Sequence, residues 1–310
     1  MKNTPCKWNV LLIGALLVCN FACISAHAQE ADDNMVQPKS QWLDPYPKRM
    51  GLMWNVGADV VSNYIWRGLY VGGLGIQADF MVGYEGLFLD MWWNIGATDW
   101  TFKSRTLAHD IAFNPEVDMT IGFSRWGLTV LFMHMYYFDR IPNPILGSQL
   151  GDNSRFFDFA NHEPGGGGIT TEWRVKYKVS SKLPLSILVC TRTWGRDGYY
   201  DALTGELKRA YSTYIELGYD FKLPWELTLE ARLGFTPAKS LYTGFKGDFA
   251  VNNASVKLIR AWDLSNHVYM TAFANMMLNP YDIATNAKGL GSVNGGRQIL
   301  WNVGCGFYLK

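Results

Sequence analysis

The chain has 310 residues, a formal net charge of +1, 48% hydrophobic and 18% charged residues; this balance excludes a disordered or collagen-like polymer. Near-neutral charge also excludes nucleic acid as an expected partner, because neutralising phosphates requires a basic footprint. Aromatic residues make up 15% of the chain, with 13 Trp, 16 Tyr and 17 Phe, a content that aromatic belts at the two interfaces of a membrane barrel would explain.

The N-terminus carries an address. Lys2 and Lys7 precede an apolar run from Val10 to Val18, and Ala26-His27-Ala28 is a small-x-small cleavage site. This pattern predicts a secretory signal peptide over 1–28, too short in its apolar part to span a bilayer as a helix. The mature chain is then expected to start at Gln29. Lipidation at Cys19 or Cys23 is the alternative, disfavoured by bulky Val18 and polar Asn20 upstream of them. Cleavage removes Cys6, Cys19 and Cys23 and leaves Cys190 and Cys305. Those two are placed on opposite faces of different strands, so no disulfide is expected. Residues 29–50, with Asp32, Asp33, Pro38, Pro45 and Pro47, lack periodicity and predict a flexible periplasmic leader.

From 51 to 310 no stretch reaches eighteen consecutive apolar residues, so no transmembrane helix is expected. What recurs is period-two alternation over segments of about ten residues. Leu52, Trp54, Val56, Ala58 and Val60 oppose Asn55, Gly57 and Asp59. Ile76, Ala78, Phe80, Val82 and Tyr84 oppose Gln77 and Asp79, and a tight Glu85-Gly86 turn leads into Leu87, Leu89, Met91, Trp93 and Ile95 against Asp90 and Asn94. A fourth segment sets Val117, Met119, Ile121 and Phe123 against Glu116, Asp118 and Thr120, and a fifth covers 127–138. The sixth has the clearest polar face, Thr170, Glu172, Arg174, Lys176 and Lys178, opposite Thr171, Trp173, Val175 and Tyr177. Six more fall at about 183–194, 209–222, 226–236, 250–262, 267–277 and 298–309.

Twelve segments joined alternately by short turns and long connections predict an all-β chain. The expected architecture is a single closed antiparallel transmembrane β-barrel of about 12 strands, with short periplasmic turns and long outer loops. Closure is required because hydrocarbon offers no partner to a backbone amide on a free edge. Trp126, Trp225 and Trp262 at the short turns, and Tyr64, Trp66, Trp100, Tyr136, Tyr137 and Trp194 at the long loops, are the expected aromatic girdles. The partners implied are outer-membrane lipid and the barrel-assembly machinery.

At the end of the first segment stands Ser62-Asn63-Tyr64-Ile65-Trp66-Arg67-Gly68, followed by Gly73, Gln77 and Tyr84-Glu85-Gly86. This stretch resembles the opening of a bacterial outer-membrane barrel family whose members begin S-x-Y-x-x-R-G and run as one barrel to the C-terminus. The resemblance rests on Ser62, Tyr64, Arg67 and Gly68; it implies the barrel and no particular activity. On the residues themselves, Tyr64 and Trp66 are expected as girdle anchors and Arg67 as the partner of a lumen acid such as Asp59 or Asp79. Trp301, Val303, Cys305 and Phe307 give the last strand its outward alternation, but the chain ends Tyr308-Leu309-Lys310 instead of on an aromatic.

The polar faces place acids and bases on different arcs of the wall: Asp59, Asp79, Asp90, Glu116 and Asp118 on strands one to four, Arg174, Lys176, Lys178 and Arg192 on strands six and seven. In a water-filled pore this segregation filters solutes by charge; in a narrow barrel the same residues pair and fill it. The longest connection, 139–168, carries Arg155, Phe156, Phe157, Asp158 and Glu163 and is expected to fold inward as a constriction. Its Gly165–Gly168 run leads into a strand and lacks the Lys-Ser/Thr and helix start of a phosphate cradle.

Three readings follow: a passive pore for small polar solutes, a closed structural barrel whose outer loops bind a partner or ligand, and an outer-membrane hydrolase. The last depends on His109-Asp110, a His-acid pair able to activate water, with no serine at nucleophile spacing beside it. No enzyme activity, cofactor or metal is expected; His162-Glu163 is not a ligand set.

Overall fold

A computed structural model describes residues 52–96, 116–137, 156–157, 169–180, 182–195, 197–201, 203–245, 249–281 and 299–309. The expected signal peptide and leader, His109, Asp110, Trp100, Arg155, Asp158, His162 and Glu163 lie outside these.

Sixteen strands occur among the described residues. Twelve of them, β1 (Leu52–Val61), β4 (Gly75–Tyr84), β5 (Leu87–Gly96), β6 (Glu116–Arg125), β7 (Leu128–Tyr137), β8 (Ile169–Lys178), β9 (Leu185–Gly195), β12 (Thr213–Leu223), β13 (Leu227–Thr236), β14 (Ala250–Asp263), β15 (Val268–Leu278) and β16 (Ile299–Leu309), close into one barrel. Every neighbour runs antiparallel, and β1 seals the cylinder by pairing with both β4 and β16. These are the twelve expected segments, with ends displaced by a few residues.

The remaining four strands form two small hairpins inside the long connections, which the alternation pattern did not distinguish from loop: β2 (Tyr64–Trp66) with β3 (Leu69–Gly72), and β10 (Gly198–Tyr200) with β11 (Leu207–Arg209). A short 3-10 helix covers Leu241–Thr243.

The pleat sorts the side chains. Trp54, Ile76, Leu89, Ile121, Trp173, Met276, Trp301 and Phe307 are exposed on the outer wall, while Asn55, Asp59, Gln77, Asn94, Thr120 and Ser186 on the other face are buried inside it. An apolar exterior around a polar interior inverts the arrangement of a water-soluble protein and requires an apolar solvent outside, so the strands are membrane-spanning. No helix among the described residues is long and apolar enough to cross a membrane. Cys190 faces inward and Cys305 outward, both free.

Three short turns share one geometry. Glu85 and Gly86 (φ 51° and 94°) and Trp126 and Gly127 (55° and 78°) form two-residue connections, and Trp225 and Glu226 (61° and 58°) follow Pro224 in a three-residue one; all three have two consecutive positive φ angles, the backbone that matches the twist of a hairpin. The third carries no glycine, so both of its side chains sit in the left-handed region at a cost of about 1–2 kcal/mol each. Glu226→Gly is therefore expected to raise stability by up to about 1 kcal/mol after the entropy a glycine adds to the unfolded chain. The urea midpoint in detergent micelles measures it, and a lowered midpoint counts against the strain argument.

Candidate functional site: the clamp inside the barrel

The first long connection turns back into the barrel. Arg67 and Gly68 (φ 49° and 82°) make the two-residue turn of the β2–β3 hairpin, and this tip is buried in the lumen. Arg67 sends a two-pronged fork to Glu172 of β8: Nη1 donates to Oε2 and Nη2 to Oε1, each at 2.8 Å. Parallel N–H···O⁻ bonds of this kind are among the stronger ones a protein makes. Arg174 Nε donates to the same carboxylate at 2.5 Å, so one fully buried acid holds two arginines.

The second hydrogen on each terminal nitrogen is used as well. Nη1 donates to the Tyr242 hydroxyl at 2.6 Å and Nη2 to the Cys190 Sγ at 3.0 Å. Trp66, Tyr214 and Tyr242 offer ring faces 4.4, 4.9 and 5.8 Å away, and Arg192 lies 5.2 Å from the Trp66 ring. A desolvated cation gains from such quadrupoles.

The backbone of the tip is held separately. Asn252 Nδ2 donates to the Arg67 carbonyl at 3.2 Å, Asn279 Nδ2 to the Gly68 carbonyl at 3.0 Å, and the Gly68 N–H meets Met277 Sδ at 2.8 Å. Leu69 then enters an apolar cluster with Leu188, Cys190, Tyr214 and Tyr242. Tyr242 comes from the 3-10 helix, which Ser240 caps by accepting the Tyr242 N–H. Hairpin and helix together place a packed core within the outer half of the barrel.

Two irregularities of the wall serve this clamp. The β8–β9 register shifts between Thr171 and Glu172, bringing Glu172 opposite Arg192. The β13–β14 register shifts between Gly234 and Phe235, leaving Asn252 as the extra residue. Bulges re-aim side chains: the extra residue on β14 is Asn252, which turns onto Arg67, while the extra residue of the β8–β9 pair is Thr193 on β9, and Glu172 faces the lumen by regular alternation with Arg174 and Lys176.

The other two side chains of the motif, Ser62 and Tyr64, have their own partners. Ser62 extends the β1–β16 ladder, its N–H donating to the Val303 carbonyl at 2.9 Å and its Oγ accepting from the Val303 N–H at 3.0 Å. Tyr64 lies 5.4 Å from Trp92, ring to ring, and hydrogen-bonds Glu116. The expectation of Tyr64 and Trp66 as girdle anchors is thus corrected, because both belong to a hairpin that folds into the lumen instead of continuing the wall. The expected partner of Arg67 is corrected too. Asp59 hydrogen-bonds Tyr308 and Asp79 accepts from Asn55 at 3.2 Å, both on the wall near β1, whereas the hairpin delivers Arg67 across the lumen to β8.

All nine expected lumen charges face inward. Asp59, Glu116, Asp118, Arg174, Lys176 and Arg192 are buried, and Asp79, Asp90 and Lys178 are partly so. The acids occupy β1 and β4 to β6 and the bases β8 and β9, but the bases are not free rails. Arg174 is bound to Glu172, and Lys178 lies 3.8 Å from Asp220. A further group on β12 and β13 gathers Glu216, Asp220 and Glu230 around Arg232, the shortest contact being 2.6 Å to Asp220.

A second apolar cluster, Met81, Phe88, Leu131, Met133 and Met135, fills the β4–β7 side. At the β1–β16 seam Tyr308 stacks on Tyr269 with ring centroids 5.0 Å apart. It lies so close over Gly57 that a Cβ there would meet the Tyr308 ring at 2.0 Å.

The expected inward constriction by 139–168 is not what its described part does. Phe156 and Phe157 pack against His134, at 5.0 and 6.1 Å between centroids, and Phe156 against Tyr136 at 5.3 Å. His134 Nε2 donates to the Phe156 carbonyl at 2.6 Å. His134 and Tyr136 alternate with the inward Met133 and Met135 and so face away from the lumen, and the two phenylalanines cover the outer wall. Their hydrophobicity finds burial on the nearest apolar surface, which in a membrane barrel is the outside.

Beyond the wall, the β10–β11 hairpin carries an exposed ion pair, Lys208 Nζ to Asp201 Oδ2 at 2.7 Å. That hydrogen bond, with backbone N–H groups from Leu203 and Thr204, lowers the Asp201 carboxyl to about 2. Burial raises Asp197, which caps Ser212 by accepting its N–H at 2.8 Å. No group of three or more metal-ligating side chains gathers among the described residues.

Glu172, Tyr242, Tyr214, Cys190, Asn252 and Asn279 were missed as site residues. Glu172 did carry a signal: it is the one acid on the face that continues with Arg174, Lys176 and Lys178, and Arg67 in the motif required an acid.

No protein family's sequence profile matches the chain, and no curated protein sequence matches it. Among solved structures it is similar to the NanC porin, with 10% identity and a TM-score of 0.42 over 83% of this chain and 100% of that one. It is also similar to an outer-membrane channel from Pseudomonas putida F1, with 7% identity and a TM-score of 0.44 over 88% of this chain and 99% of that one. A third is the outer-membrane channel DcaP of Acinetobacter baumannii, with 8% identity and a TM-score of 0.32 over 84% and 97%.

Proposed function

We propose that the chain is a porin-like protein of a Gram-negative outer membrane, a passive channel for small polar solutes reached after signal-peptide cleavage near Ala28. The observation that carries this is the inward charge pattern: acids on β1, β4, β5 and β6 occupy one arc of the lumen wall and bases on β8 and β9 another. A transverse field in a narrow, low-dielectric passage orients dipolar solutes and discriminates ions by sign. Outer-membrane lipid and the barrel-assembly machinery are the partners this placement entails, and passive flow needs no cofactor.

The expected result in planar bilayers is discrete conductance steps from the folded chain. Lys176→Glu, which exchanges a lumen cation for an anion, is expected to move the reversal potential in a salt gradient toward cation selectivity. A barrel that is folded and heat-modifiable yet silent would count against the channel.

One observation favours a second reading. The lumen residues are shielded from water by one another, Glu172 to 0% and Arg174 to 3% exposure, and two apolar clusters lie among them. Such packing supports the reading of a closed scaffold whose function lies in outer loops that bind a partner or ligand, and silent bilayers would select it.

A further inference from the structure

We propose that the β2–β3 hairpin is a latched plug of the barrel's outer mouth, with the Arg67–Glu172 ion pair as the latch that sets whether the lumen beneath it is reachable from outside. The inference rests on the channel reading for its consequence, but the latch itself is a property of the fold.

Four features carry it. The hairpin leaves the wall through Ser62 and Asn63 on β16, Tyr64 meets Trp92 and Glu116 on the way in, and the tip touches β8 and β9 across the lumen and β14 and β15 beside it. Its own ladder is short and irregular, with a register shift between Tyr64 and Ile65, and a two-stranded hairpin of this size is not stable by itself in water. Its seat therefore depends on what holds the tip. At the tip the bonds of greatest strength converge on one guanidinium, since a charge-assisted fork exceeds amide-to-carbonyl bonds such as those from Asn252 and Asn279. Finally, the apolar contact below is modest: Leu69 is the one hairpin residue fully within the buried cluster, with Trp66 and Val71 partly buried against it.

A two-position element follows. With Glu172 ionised and engaged, Trp66, Arg67 and Leu69 cover Leu188, Cys190 and Tyr214. When the fork is lost, the buried Arg67 charge loses its two strongest hydrogen bonds and regains solvation by leaving the lumen, and the hairpin swings out on Ser62 and Gly73. Arg67 is thus a positioning residue for the channel.

Cys190 supplies a native reporter. Its Sγ lies 3.0 Å from Arg67 Nη2, its exposure is 1%, and it sits on the lumen face directly beneath the tip. In the mature chain with Cys305→Ser it is the remaining thiol. The experiment measures the rate at which a membrane-impermeant methanethiosulfonate modifies Cys190 in folded, heat-modifiable barrels, alongside conductance. In the parent chain modification is expected to be slow, and in Glu172→Gln, which keeps the shape and removes the charge, at least tenfold faster. Arg67→Lys, the milder change, keeps the charge and loses the fork; it is expected to accelerate labelling similarly and serves where Glu172→Gln refolds poorly.

Equal rates in parent and variants would overturn the latch, as would a parent thiol modified as fast as in the denatured chain. Accelerated labelling in silent bilayers supports the latch and removes the channel reading. Conductance steps of unchanged size with Cys190 still protected in both variants remove the latch and leave the channel.

Discussion

Glu172→Ala is expected to cost the folded barrel about 3–5 kcal/mol, the range found when one partner of a buried ion pair is removed and the other is left uncompensated. The side chain has 0% exposure and accepts from Arg67 twice and from Arg174 once. Alanine leaves two buried guanidiniums facing each other across a vacated carboxylate, with Arg192 close by, so repulsion is added to lost hydrogen bonds. The change is read as a lowered urea midpoint at unchanged slope in detergent micelles. A double-mutant cycle with Arg67→Ala is expected to show strong coupling, since removing both partners takes away the stranded charge. A midpoint unaffected by Glu172→Ala would mean that water reaches the arginines, contrary to the buried site described above.

Gly68→Val has the second largest expected effect, about 3 kcal/mol, and it acts on the same element by a different route. The residue sits at φ 82°, and a Cβ there would lie 2.3 Å from the Asn252 carbonyl oxygen. A left-handed conformation is a genuine outlier for a β-branched residue, and the clash is with backbone that cannot rotate away. The Arg67 fork stays chemically intact, yet the tip is too wide for its seat. Thermal unfolding is expected at lower temperature with the barrel ladder otherwise formed, and Cys190 is expected to become reactive. Gly68→Ala, which shares the strain but adds only one methyl, is expected to fall between parent and valine. Indistinguishable behaviour of all three would show that the tip is not seated as tightly as the Asn252 and Asn279 contacts require.

Much of the architecture was legible along the chain because the physics that builds it is local and repetitive. A strand between lipid and lumen must alternate, so Leu52 to Val60 and Trp301 to Phe307 declare their outward faces residue by residue. The two-residue turns are equally legible at Glu85-Gly86, where a single close pair of strands leaves no other path. The inward charges are legible for the same reason: in period-two alternation, placing Val175 outward places Arg174 and Lys176 inward.

What alternation could not supply is the destination of a segment that leaves the wall. Tyr64 and Trp66 look like interfacial anchors when counted along the chain, and Phe156 and Phe157 look like a constriction. The first pair enters the lumen and the second covers the outside of β7, because burial of an aromatic ring is satisfied by any apolar surface within reach, and reach is a three-dimensional quantity. The Arg67–Glu172 pair joins residues 105 apart in sequence. Its surroundings also depend on two bulges, each of which shifts the alternation of one strand by one residue, at Thr193 on β9 and at Asn252 on β14. A one-residue shift is weak in sequence and decisive in space.

The amino-acid sequence by itself thus determined the number of barrel strands, the outward and inward faces of the regular wall, the short-turn and long-loop ends and the inward charges, all consequences of local periodicity against two solvents. The tertiary structure decided which charges meet, which loop turns inward and that the lumen contains packed cores. Those outcomes depend on closure of the cylinder, which brings β1 to β16 and carries the hairpin after β1 across to β8.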